Sequence, residues 1–423
     1  MGGTKLRVLV SAFACDPEQG SEHAIGWEWC TSLGAVAEEV HVITRAIHRE
    51  PVERHQREVP ENVHFHFFDV GGASYRWSGH SRGLRFYYNL WQAQCVRRCR
   101  YIAERWNCSV CHHVTFTGVQ YPPGVSQIEL PFVWAPVGGL NAPLELIREL
   151  GLSVRFRESL HRCVINVSQK VGPVRMAAER AALLGRYPGS TVFSEWSDKT
   201  FEVAPTSLEF HRALTDHDSG GPQRSIRADK ANPLRIVSAA RLVWWKGMQL
   251  ALCAVAQLKA RGLHLVYNIV GDGPMAKSLH RLSNSLGLGD SVSFVGWVDR
   301  AEVKGLLRDA DVLLHPAFRE GWGTVVKEAI EVGTPVVCLD WGGPGHIIRY
   351  SRAGWAVDPQ HAPTRVVAEI ADRLEGVATQ DYRGLGPCLQ QSWSHPQPPS
   401  VSVSAAIRVL YSQLRATRFQ CRP

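Results

Sequence analysis

Apolar residues in the first half of the chain fall into short unbroken runs: LRVLVSA, EVHVIT, VHFHFFDV, SVCHHV and PFVWAPVGG. Between them, apolar positions recur at helical spacing, over about 24–36 and 84–106. Apolar runs of about four to eight residues alternating with helices mark the strands of a parallel sheet covered on both faces. Over 215–233 the pattern lapses into TDHDSGGPQRSIRADKANP, rich in Gly, Pro, Ser and charge, which reads as a linker. It then resumes with LRIVSAARL, LVYNIVGDG, SVSFVGW, DVLLHPA and TPVVCLD, with helical stretches after Gly247, Pro274, Arg300 and Gly323. The pattern therefore predicts two doubly wound α/β domains, at 1–215 and 234–385, joined by a linker at 216–233. The Pro-rich SHPQPPSVSV and a last helix near 405–415 occupy 386–423.

Length agrees, since 423 residues exceed the ~250–300 at which one core stops growing. With 45% hydrophobic and 20% charged residues, both cores can be filled. A net charge of +8 would suit nucleic acid, a membrane surface or a phosphorylated small molecule. No run of five or six basic residues and no nucleic-acid motif occurs, so nucleic acid is not expected. The apolar run after Lys5 and Arg7 is too short for a signal peptide and lacks a cleavage site, so it is read as a first strand. No segment has the ~18–20 consecutive apolar residues of a membrane span. Eleven scattered cysteines, several inside apolar runs, look like reduced thiols, and a cytoplasmic setting is expected. Cys108-Ser-Val-Cys111-His112 matches the attachment pattern of a c-type haem, and Cys95, Cys99, Cys108 and Cys111 have zinc-like spacing. Both readings are disfavoured, because the second pair falls on a buried strand and the turn before it.

Ligands of open α/β sheets bind beyond the carboxyl ends of the strands, so the loops there carry the candidate chemistry. Arg241 and Lys246 follow one strand and together suit a diphosphate, one by a planar fork and the other by a mobile point charge. Gly271-Asp272-Gly273 closes the next strand, where glycine permits a sharp turn or a close approach. In PAFREGWGTVVKEAIEVGTPVV, Gly321-Trp322-Gly323 lies where the loop becomes a helix, whose free amides form an anion site. Glu320 is in that loop and Glu328 in the helix, about 12 Å apart at ~1.5 Å rise per residue. That exceeds the ~5–9.5 Å of glycosidase carboxylates and suits an extended ligand with phosphates in the middle, such as a sugar nucleotide. Asp309-Ala-Asp311 has the form of a metal-binding Asp-x-Asp, but it ends a helix and enters a strand, so it reads as capping and no metal is expected.

SAARLVWWKG, IVGDGP, FVGWV, DVLLHPAFREGWGTVVKEAIEVGTPVV and GGPGHII, in that order, resemble the donor-binding domain of the retaining glycosyltransferases of family 4, glycosyl transferases group 1. The resemblance is close over about 234–357. It implies a GT-B fold, two Rossmann-like domains facing across a cleft. It assigns the donor diphosphate to Arg241 and Lys246, the donor sugar to Glu320 and the ribose to Glu328. Gly271, Asp272, Gly273, Gly296, Trp297, Gly321, Trp322, Gly323 and Thr324 complete the donor site. Departures are His315 in place of the usual Ser and Thr324 in place of an aliphatic residue. The first half resembles the family more loosely, through CDPEQGSEHAIGWEW, HHVTF and FVWAPVGG. Gly20, Ser21 and Glu22 would lie on the acceptor side, and His113, or His112, near the transferring centre.

The resemblance implies a metal-independent transferase without a cofactor, moving a sugar from a nucleotide-sugar, UDP or GDP, to an acceptor hydroxyl. The setting would be bacterial polysaccharide, glycolipid or natural-product synthesis. A non-catalytic nucleotide-binding or partner-binding module is the alternative, against which the intact Arg, Lys, Glu, Glu set argues. Between Tyr75 and Trp106, Arg76, Arg82, Arg85, Arg97, Arg98, Arg100 and Arg105 face one acid, Glu104, and alternate with Trp77, Phe86, Tyr87, Tyr88 and Trp91. Such a helix either packs its aromatics on the sheet or rests on an anionic membrane surface, where the acceptor would be lipid-linked.

Overall fold

A computed structural model describes residues 6–71, 83–148, 151–208, 229–379 and 402–420. Tyr75, Arg76, Trp77 and Arg82, most of the expected linker and the Pro-rich stretch to 401 lie outside them. Seven strands belong to the first half: β1 Arg7–Ala12, β2 Glu39–Thr44, β3 Val63–Phe67, β4 Val110–Thr115, β5 Phe132–Val137, β6 Ala181–Arg186 and β7 Thr200–Glu202. Six belong to the second: β8 Leu234–Ala239, β9 Leu265–Val270, β10 Val292–Gly296, β11 Val312–His315, β12 Val336–Leu339 and β13 Gly354–Val357. The sheets run β3-β2-β1-β4-β5-β6-β7 and β10-β9-β8-β11-β12-β13, and the paired strands in both are parallel. In each, consecutive strands spread one way and then the other. That puts a topological switch point between β1 and β4 and another between β8 and β11.

The apolar runs form strands because both faces are covered. On the first sheet Val8, Val10 and Val114 join one apolar layer, while Leu9 and Cys111 join the other with Phe13, Tyr88 and Trp91. In the second sheet Ile236, Tyr267, Ile269, Leu314 and Val337 pack with the helices Met248–Ala260 and Pro363–Thr379.

The chain divides into two compact units, one of residues 1–139, 162–208 and 397–423, the other of 140–161 and 209–396. Neither unit is continuous in sequence. The last helix, Val403–Gln420, places Ile407, Leu410, Tyr411 and Leu414 in the first unit's core, whereas Ala142, Leu146 and Ile147 lie in the second's. An amphipathic pattern says which side of a helix is buried and not which sheet it covers. The helix Leu84–Arg105 buries Tyr87, Tyr88 and Trp91, which belong to the core, and exposes Arg85, Arg97, Arg98, Arg100 and Arg105 with Phe86 and Tyr101.

Candidate active site

At the second switch point, the chain leaves β8 through 240–247 and leaves β11 through 316–323. Gly247 has φ 70°, and a Cβ there would stand 1.9 Å from the Pro316 carbonyl oxygen, so only glycine lets the two loops touch. Phe318 N–H donates to the Trp245 carbonyl at 2.8 Å. This contact brings the Lys246 ammonium onto the Glu320 carboxylate as an ion pair. The Nε2 atom of His315, a side chain with no exposure, stands 3.6 Å from the same carboxylate. Burial alone would push Glu320 up, but Lys246 and His315 outweigh it and hold the carboxyl well below the usual range. Burial lowers His315 and the neighbouring ammonium adds to this, against the pull of Glu320, so the ring is neutral near pH 7. Arg241 is exposed beyond β8, without an ion-pair partner among the described residues.

The 320–323 loop is seated from behind by the GGPG start of the helix Gly342–Ser351. A Cβ on Gly342 would meet the Glu320 carbonyl at 2.4 Å, and one on Gly343 would meet Trp322 Cα at 2.2 Å. Gly323, at φ 81°, precedes the helix Thr324–Glu331, and its carbonyl accepts from Val326 N–H at 2.9 Å. Glu328, 7% exposed, accepts from Arg300 Nε at 2.8 Å. Gly271 and Gly273 press on the Ala240 and Leu242 carbonyls, 2.1 and 2.4 Å from where a Cβ would stand, which fixes the loop carrying Arg241. Gly296 accepts from Gly271 N–H, Trp297 beside it is 79% exposed, and Trp322 is buried. Asp311 accepts from Arg235 N–H at 2.8 Å, which is a structural use of its carboxylate. Among the described residues no group of three or more His, Cys, Asp or Glu is placed to hold a metal ion.

At the first switch point a hydrogen-bonded carboxyl group takes the place of the ion pair. Glu22 opens the helix Glu22–Ser32 directly after Ser21, whose φ is 56°, and Gly20 stands just before. The Glu22 carboxylate accepts from Thr117 Oγ1 at 2.6 Å and Thr117 N–H at 3.2 Å, tying the loop after β1 to the loop after β4. Burial raises Glu22 to about 7, against the Thr117 hydrogen bonds.

His112 and His113 point to opposite faces of the sheet. His112 Nε2 lies 2.9 Å from the Ala135 carbonyl and Nδ1 3.0 Å from the Tyr411 hydroxyl, so it is spent on seating the last helix. His113 Nε2 lies 3.3 Å from the Tyr88 hydroxyl, and burial lowers it to about 3. Cys108 and Cys111 are buried thiols on and beside β4.

Three features of these loops went unread in the sequence as site elements: His315 against Glu320, Arg300 on Glu328, and the glycines 342–343 behind 320–323. His315 was visible as a departure from the family, and the glycines as a motif. The Arg300 pairing spans 28 residues and left no local signal.

Residues 222–382 match the family model of glycosyl transferases group 1. The curated relative AmsK of Erwinia amylovora, an amylovoran biosynthesis glycosyltransferase, is 35% identical over 129 residues, 29% of this chain and 32% of its own. Relatives at 34–35% identity are matched over 32% to 42% of their own length. A GDP-mannose-dependent alpha-(1-6)-phosphatidylinositol monomannoside mannosyltransferase of Mycobacterium tuberculosis is 29% identical over 59% of this chain and 68% of its own. Among solved structures, Anabaena Alr3699/HepE in complex with UDP-glucose covers 97% of this chain and 100% of its own, with TM-score 0.56 and 17% identity. The fold is therefore GT-B, and the chain carries a glycosyl transferases group 1 domain.

Proposed function

We propose that the protein is a retaining glycosyltransferase that moves a sugar from a nucleotide-sugar donor to an acceptor hydroxyl. The observation that carries this reading is the Lys246–Glu320–His315 cluster at the switch point of the group 1 domain, with Arg241 and the amides of 321–324 beside it. Arg241, Lys246 and those amides neutralise the departing diphosphate, and that role requires no metal. Glu320, held ionised, accepts hydrogen bonds from the donor sugar and keeps it in register, while the acceptor hydroxyl attacks from the face the nucleotide leaves. Glu328 takes the ribose, Arg300 holding its carboxylate in place, and Trp297 and Trp322 complete the donor pocket. On the acceptor side, His113 rather than His112 stands by the transferring centre, since both nitrogens of His112 are engaged elsewhere. Gly20, Ser21 and Glu22 shape the loop there.

HepE is solved in complex with UDP-glucose and the mannosyltransferase is named as GDP-mannose-dependent, which supports a UDP-sugar or a GDP-sugar as the donor. Polysaccharide or glycolipid assembly fits the relatives' names. A panel of UDP- and GDP-sugars, with and without sugar and lipid-linked acceptors, tests the reading by nucleotide release and by the anomeric configuration of the product. Nucleotide binding without turnover on any acceptor would favour the non-catalytic module, and an inverted product would overturn retention.

A further inference from the structure

The helix Leu152–Lys170 carries most of its apolar residues on the outside. Leu152 is 79% exposed, Phe156 70% and Leu160 54%, with Val164, Val167 and Val171 each near half. At about 100° per residue these side chains and the exposed Cys163 fall within one arc of roughly 120°. The inward direction is fixed independently, because Glu158 and Ile165 on the other side of the helix are 1% and 3% exposed. A soluble helix reverses this arrangement. Arg155, Arg157 and Lys170 are exposed in and beside the arc, whereas the helix's one acid, Glu158, is buried and paired with Arg319 at 3.1 Å.

We infer that this helix lies on an anionic lipid surface, its apolar arc entering the headgroup boundary and its basic residues contacting lipid phosphates. An apolar stripe with a cationic rim is the pattern of a helix lying in the membrane interface. The rim decides the occupant. A second copy of this chain would bring Arg155, Arg157 and Lys170 against their own counterparts, whereas an anionic surface complements them. The helix Leu84–Arg105 differs, since its face outside the core is arginine-rich with large apolar groups only at Phe86 and Tyr101. The inference stands on the helix alone and does not depend on the proposed activity.

The test is cosedimentation of the full chain with vesicles of phosphatidylglycerol and phosphatidylcholine, against phosphatidylcholine alone. Wild type should bind the anionic vesicles at least tenfold more strongly and lose binding as salt is raised. F156D/L160D and R155Q/R157Q should each lose tenfold or more, with circular dichroism unchanged because these side chains are exposed. A second readout attaches an environment-sensitive fluorophore to Cys163, with Cys163→Ser as background control, and its emission should rise with anionic vesicles only. Vesicle binding unaltered by both double variants overturns the inference. So does the absence of vesicle binding, including the case of a dimer in sedimentation equilibrium that F156D/L160D dissociates, which would identify a second copy as the occupant.

Discussion

The two switch points use one topology for opposite electrostatics. Between β8 and β11 the loops meet through an ion pair, Lys246 on Glu320, with the carboxyl held well below its usual range. Between β1 and β4 they meet through Glu22 and Thr117, with the carboxyl raised to about 7 and histidines on β4 kept neutral by burial. The difference teaches that a switch point supplies a place and not a chemistry. In the second unit the loop ends carry charged groups, Lys246 paired with Glu320 and Arg241 exposed. In the first, the polar groups are largely absorbed in holding the fold together.

The largest effect should separate structure from chemistry. Tyr411→Ala removes a buried ring from the first unit and the partner of His112, and should cost about 3–5 kcal/mol of stability, read by denaturant unfolding. Nucleotide affinity, measured by calorimetry, should stay near wild type. Glu320→Gln should lower turnover by about 10²–10³-fold, some 3–4 kcal/mol, with nucleotide binding largely kept, whereas Arg241→Ala should weaken both. Near-normal initial rates in the two variants would remove the donor assignment.

Acid and base limbs sharpen the contrast. Glu320 is depressed in the fold, so its stabilisation is present above the ordinary value of about 4.3 and fades as pH falls below it. Lys246→Ala should flatten that acid limb of the melting curve. Glu22 is raised, so the folded state binds its proton more tightly. Stability from this group is greatest below about pH 4.3, declines as pH rises to about 7 and then levels off. Glu22→Gln should abolish the decline, in melting temperatures recorded from pH 4.5 to 8. The smallest expected effect is none: turnover should survive EDTA, and a loss restored by manganese would return Asp309 and Asp311 to the site.

Much of the second unit was legible in the sequence because its signals are local. Strand runs followed by Arg241, Lys246, Gly271 or Gly323 place those residues at strand ends by counting alone. The first unit was less legible. A histidine pair on a buried strand must point to opposite faces, but which face holds what depends on partners such as Tyr411, 299 residues from His112. Glu22 shows the same dependence, since the Thr117 that holds it lies 95 residues on.

The sequence by itself determined the alternation of strands and helices, both parallel sheets and the strand-end loops with their charged residues. These follow from side-chain periodicity and backbone permissiveness, which act over a few residues. Only the tertiary structure decided that Lys246 meets Glu320, that Arg300 takes Glu328, that the last helix completes the first unit, and that the helix Leu152–Lys170 turns its apolar side outward. Each of these is a choice of partner between segments distant in sequence. Periodicity leaves that choice open, because it specifies a buried face without specifying what buries it.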